Sequence, residues 1–142
     1  MAIKQISIFV ENKPGRLAKI TSLLAENLVD IRALSIADTT DYGILRLIVS
    51  DPEKAEKVLK EAKMTVSITH VLGIGIPDVP GGFSVAIKTL ADAGISVEYA
   101  YAFITPDAGK AYVIIRVEDN DAAKKALKDA NITVIEQDEI FI

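Results

Sequence analysis

Cysteine and tryptophan are absent from the 142 residues, and histidine occurs once. Without thiols there is no disulfide, no zinc–thiolate centre and no cysteine nucleophile, a composition that fits a reducing compartment. The solitary His70 has no second imidazole or thiol to share a metal and no serine-triad setting, so it reads as a structural or solvated residue. Basic residues are outnumbered, 16 against 20 acidic, for a formal net charge of -4. No general attraction to nucleic-acid phosphates or an anionic membrane surface follows from that balance. No apolar run approaches the roughly 18 residues of a spanning helix. The N-terminal stretch lacks the basic-then-apolar pattern of a secretory signal. A soluble, cytoplasmic protein is the expectation. No phosphate-binding glycine fingerprint and no metal-spaced cluster appear, so the sequence calls for no cofactor, no metal and no catalytic residue.

What the chain does contain is one unit written twice, with half of its residues hydrophobic. A shift of 66 positions lays Pro14 on Pro80, Gly15 on Gly81, Leu24 on Leu90, Ala25 on Ala91 and Thr39 on Thr105. Beyond a two-residue insertion in the second copy the shift becomes 68, laying Val49 on Val117, Asp51 on Asp119, Leu59 on Leu127 and Ala62 on Ala130. A surface hairpin tolerates such an insertion. Two copies are too few for a solenoid, so the repeat reads as a duplicated supersecondary module.

Each copy alternates between two periods. Ile6, Ile8 and Val10 alternate with Gln5, Ser7 and Phe9, the signature of a half-buried strand. From Arg16 to about Asn27, Leu17, Ile20, Leu24 and Leu28 recur at helical spacing. A strand over residues 31–37 turns through the polar segment 38–43 and returns as residues 44–49. Asp51 then caps a second helix that has Pro52 at its first position and Ala55, Val58, Leu59 and Ala62 inward. Residues 65–69 close the unit as a strand. The second copy repeats the pattern, with Phe83, Ala86, Ile87 and Leu90 on its first helix and Ala123, Ala126, Leu127 and Ala130 on its second.

The fold class this implies is α+β: two tandem ferredoxin-like βαββαβ units, residues 1–70 and 71–142, each an antiparallel sheet with both helices on one face. The link through Thr69-His70-Val71 is so short that the units are expected close together, side by side. Val97, Tyr99, Tyr101 and Phe103 share one strand face, which suits core or a subunit interface, with a ligand wall as the alternative. Glu136, Asp138 and Glu139 read as charges that protect a terminal edge strand.

The loop between first strand and first helix is the candidate site in both copies. Gly15 and Gly81 remove a Cβ where a ligand could approach, and Pro14 and Pro80 stiffen the segment before them. Helix N-terminal amides just beyond can hold a carboxylate without a basic side chain. Asn12 and Asp78 lie beside them as acceptors suited to an ammonium group. Carboxylate and ammonium held together describe an α-amino acid. The competing reading is a plain Pro-Gly turn, which duplication would copy equally well.

Glu11-Asn12-Lys13-Pro14-Gly15-Arg16-Leu17 after the first strand, and Asp78-Val79-Pro80-Gly81-Gly82-Phe83 in the second copy, resemble the opening of the ACT domain family of small regulatory modules. The two resemblances span nearly the whole chain. They imply a ferredoxin-like fold and free amino acids bound near these loops at interfaces between ACT units. Carried over by position, they place ligand contacts at Asn12, Gly15, Arg16 and Leu17, and at Asp78, Gly81, Gly82 and Phe83, with Pro14 and Pro80 shaping the loops. Arg16 is matched by Gly82 and Leu17 by Phe83, so the two sites are expected to differ in charge and shape. The resulting expectation is a non-enzymatic, allosteric amino-acid sensor acting as a homodimer. The alternative is a regulatory subunit or interaction module of an amino-acid biosynthetic enzyme, similar in role to the small subunit of acetolactate synthase.

Overall fold

The structure is a computed structural model that describes residues 2–38, 41–103 and 109–140. Its elements run β1 (Ile3–Glu11), α1 (Arg16–Glu26), β2 (Ile31–Asp38), β3 (Tyr42–Val49), α2 (Pro52–Glu61), β4 (Thr65–Pro77), α3 (Gly82–Asp92), β5 (Tyr99–Phe103), β6 (Lys110–Arg116), α4 (Asn120–Asp129) and β7 (Thr133–Ile135). A 3-10 turn over Gln137–Glu139 follows. The chain divides into two compact units, Lys4–Thr69 and His70–Ile142 together with Met1–Ile3. They are called here the first and second units. Strand β4 runs unbroken through the division at His70.

In the first unit β3 pairs antiparallel with both β1 and β2, and β1 also pairs with β4. In the second, β6 pairs antiparallel with β4 and β5, and β4 with β7. Register confirms the offset between the copies: Phe9 faces Ile44 in the first unit, and Gly75 faces Tyr112 in the second. The hairpin tip through Thr39 and Thr40, and its counterpart around Thr105 with the inserted residues, lie outside the described residues.

One face of each sheet is apolar and covered. In the first unit Ile6, Ile8, Leu45, Leu47 and Val49 meet Ile20 and Leu24 of α1 and Ala55 and Leu59 of α2 in one cluster. In the second, Leu72, Ile74, Val113 and Ile115 meet Ala86 and Leu90 of α3 and Ala123 and Leu127 of α4. The helical stripes are narrower than the sequence spacing implies. Leu17 is 42% exposed, Leu28 87% and Phe83 38%, because the first falls on the turn facing water and the second lies beyond the helix end. Ala130 is likewise exposed, past the last turn of α4. The closing strand β7 spans only Thr133–Ile135, so Glu136, Asp138 and Glu139 do not lie on an edge strand. Glu136 instead pairs with Lys124 of α4 at 3.0 Å.

All four helices end alike. The residue after each C-cap, Leu28, Lys63, Gly94 or Asn131, has positive φ. The next amide, of Val29, Met64, Ile95 or Ile132, reaches back to the carbonyl of Leu24, Leu59, Leu90 or Leu127. This is the double-bonded C-terminal turn in which an apolar residue folds back over the helix end. Asp51 and Asp119 cap α2 and α4 by accepting from the amides of Lys54 (3.1 Å) and Ala122 (3.0 Å).

Leu28 bears a side chain at φ 58, where the second unit has Gly94 at φ 75. Leu28→Gly relieves a left-handed leucine and removes an exposed apolar side chain. We expect about 1 kcal/mol of added stability in urea unfolding.

Candidate functional site

Both βα loops are built by the same local rules. Gly15 (φ 86) and Gly81 (φ 84) occupy the left-handed conformation at the helix N-cap, and no side chain caps α1 or α3. The first turn of each helix therefore presents amides without helical acceptors, at the positive end of the helix dipole. The loops are anchored identically: the amide of Asn12 donates to the carbonyl of Asp41 at 2.9 Å, and that of Asp78 to Gly109 at 3.0 Å.

Beyond this shared frame the two loops diverge. In the first unit Asn12, Pro14, Gly15, Arg16 and Leu17 are all exposed. Lys13 Nζ lies 3.0 Å and Arg16 Nη2 3.9 Å from the Glu11 carboxylate. The hydrogen bond from Lys13, with its charge and that of Arg16, holds the Glu11 carboxyl below its ordinary pKa. The loop cations thus answer to a carboxylate of their own chain.

In the second unit Gly82 is buried, and a Cβ there would stand 2.2 Å from the Pro77 carbonyl oxygen. The start of α3 is packed directly on the end of β4, which only glycine permits. Beside it opens a cleft of about 710 Å3, lined entirely by second-unit residues. Pro80, Gly81 and Gly82 are among its lining residues, and Val79, Val85 and Ile132 add apolar ones, while Ile76 and Ala86 beneath belong to the buried core. Gly75, Tyr112 and Thr133, on the strand face turned away from α3, also line it, and a Cβ on Gly75 would lie 3.4 Å from Tyr112 Cε1 and 3.5 Å from Thr133 Cβ. Lys110 is the cation at its edge, and among the described residues no carboxylate lines it.

Of the residues expected from sequence, the structure brings Pro80, Gly81 and Gly82 to this cleft. Asp78 and Phe83 do not line it, nor do Asn12, Pro14, Gly15, Arg16 and Leu17. Gly75, Lys110, Tyr112, Asn131 and Thr133 went unsignalled by the loop motif. The signal that finds Gly75 is a glycine inside a strand, which marks close approach of another group. Its neighbour Gly73 obeys the same rule, since a Cβ there would meet Ile3 Cδ1 at 2.6 Å.

His70 is exposed, and its carbonyl accepts hydrogen bonds from Arg116 Nη1 (3.3 Å) and Asn120 Nδ2 (3.2 Å). Among the described residues no group of three or more histidines and carboxylates is arranged to hold a metal ion. On β5, Tyr99 and Tyr101 are half-buried and Phe103 is buried, its ring 5.2 Å from that of Tyr112. No helix among the described residues is long and apolar enough to cross a membrane.

Two βαββαβ units, each with a helix N-terminus rising from a glycine turn, define a duplicated α+β module. The family model for the ACT domain pair matches residues 1–142, and the chain belongs to that family. Protein BT0572 from Bacteroides thetaiotaomicron is 40% identical, with a TM-score of 0.93 over 99% of this chain and 96% of that one. The regulatory subunit of aspartate kinase from Thermus thermophilus, in its ligand-free form, shares the fold at 19% identity and a TM-score of 0.66, over 92% and 93% of the two chains. An aspartokinase of Corynebacterium glutamicum is 26% identical over 136 residues, which cover 84% of this chain. The matched region spans 31% of that aspartokinase, under a third of its length.

Gly82→Ala drives a methyl group into the Pro77 carbonyl and should cost about 1–3 kcal/mol of stability. Arg16→Ala, at the matching exposed position, should stay within about 0.5 kcal/mol of the parent. Paired urea titrations check both.

Proposed function

We propose that this chain is a non-catalytic regulatory protein that senses a free amino acid at its βα loops. The observation that carries the reading is the second-unit cleft, which opens where α3 begins without a side-chain cap. Membership of the ACT domain pair family over the whole chain supports it, as does the kinship in fold to an aspartate kinase regulatory subunit. Helix amides beside Gly15 and Gly81 take the ligand carboxylate. Asn12 and Asp78 stand at the loop as acceptors for its ammonium group. Arg16, Leu17 and Phe83, with Pro14, Pro80 and Gly82, give the two loops their different charge and shape. Binding couples to regulation when the ligand has unequal affinity for two states of the assembly, whether a homodimer or a complex with a regulated enzyme.

A second reading, as an interaction module of a biosynthetic enzyme, is favoured by the apolar side chains that the first unit leaves in water. Phe9 (51% exposed), Leu34 (56%) and Ile36 (50%) are among these, with the Phe9 ring stacked on Tyr42 at 4.9 Å. Scattered exposed hydrophobes are ordinary, but several on one small unit suit a protein partner.

Thermal unfolding against the common amino acids at millimolar concentration tests the first reading. A ligand at 100 times its dissociation constant stabilises by about 2.7 kcal/mol. For a chain of this size the midpoint should rise by roughly 5–10 °C. A panel in which no amino acid moves the midpoint removes the sensor reading and leaves the interaction module.

A further inference from the structure

The four helices end in the same double-bonded turn, and the residue at its left-handed position is Leu28, Lys63, Gly94 or Asn131. Glycine and asparagine tolerate positive φ, and lysine sets a cation at the negative end of the helix. Leucine does neither. At φ 58 its Cβ crowds the backbone, and with 87% of the residue exposed, burial gives nothing in return. Glu26 and Asp30, two residues to either side, are exposed acids, and Asp30 keeps 67% of its side chain in water while meeting Arg32 at 3.6 Å. The first unit thus presents a bare leucine between two carboxylates.

The second unit presents the complement. In the cleft beside α3, Val79 (59% exposed) and Val85 (61%) stand open to water, with exposed Pro80 and half-buried Ile132 among the other lining residues. Lys110 is exposed at the edge, and among the described residues no carboxylate lines the cleft. Each feature occurs in one unit only: Gly94 replaces Leu28 in the second, and Lys13 and Lys19 replace Val79 and Val85 in the first.

We infer that Leu28 of one chain inserts into the second-unit cleft of another copy, against Val79, Val85 and Ile132, with Glu26 and Asp30 turned toward Lys110. The occupant is a second copy because knob and cleft match in polarity and in charge and belong to the same chain. An exposed apolar side chain and a pocket elsewhere on one molecule make a contact that repeats between copies. The cleft, about 710 Å3, has ample room for one leucine side chain. A single inserted leucine covers far less than the roughly 800 Å2 per partner of a standard interface, so the association is weak and depends on concentration. The contact stands apart from the sensor reading, whether or not the same cleft also takes an amino acid.

Sedimentation velocity of the full chain, from micromolar to millimolar concentration and without added amino acid, tests this. We expect the average mass to rise with concentration. Leu28→Gly, which gives the first unit the residue that the second has at this place, should weaken association by about tenfold or more while raising the melting midpoint. Val85→Glu should weaken it to a similar degree, by setting a carboxylate against Glu26 and Asp30. The two variants complement each other, since one keeps the cleft and the other keeps the leucine. An equimolar mixture should therefore regain association that neither shows alone. Circular dichroism melting identifies any loss that comes from unfolding, and Lys110→Glu takes the place of Val85→Glu if that variant does not fold. A mass that stays constant with concentration, association undiminished in the folded variants, or a mixture no better than its components overturns the inference. Loss in Leu28→Gly alone, with folded Val85→Glu and Lys110→Glu associating as the parent does, also overturns it, because the leucine then docks elsewhere.

Discussion

In each unit a strand face of isoleucine, leucine and valine leaves water only when two helices lie across it, and the remaining structure follows from meeting that demand twice. Residues two apart on β1 and β3 point the same way, and residues three and four apart on α1 and α2 do so as well. Ile6, Ile8, Leu45 and Leu47 therefore meet Ile20, Leu24, Ala55 and Leu59 in one cluster. Covering the same face from both helices throws each βα turn to one end of the sheet. The left-handed glycines, Gly15 and Gly81, let the chain reverse there. The helix ends obey a matching rule, with Val29, Met64, Ile95 and Ile132 folded back to seal the core after each last turn.

Once the frame is secured by buried residues, the exposed end of each unit is free to diverge. Arg16 points to Glu11 in one copy, while Gly82 lets α3 settle on Pro77 in the other. Phe9 stacks on Tyr42 in one, and Gly75 stands at the matching position in the other.

Much of the frame was legible because its signals are local. The helix starting at Arg16 lies within a residue of its expected end, and Asp51, read as a cap, accepts the Lys54 amide. Misreadings arose where a local pattern outran the packing. Leu17 and Leu28 continue a helical stripe in sequence, yet Leu17 lies on the water-facing first turn and Leu28 beyond the cap. Acidic residues expected on an edge strand belong instead to a turn, since β7 stops at Ile135.

The chain's order of residues by itself determined that there are two units, which residues form strands and helices, and where the glycine turns fall. Those properties depend on dihedral preference, periodicity and capping, all of which act over a few neighbours. Tertiary structure alone decided which turn borders a cleft. Its lining draws on Gly75, Tyr112, Ile132 and Thr133, on three strands and a helix-to-strand turn that sequence separates by up to 58 residues (133 minus 75). Only when β4, β6 and β7 pair do these residues come together, because a cleft belongs to the assembled neighbours and to no residue of the sequence.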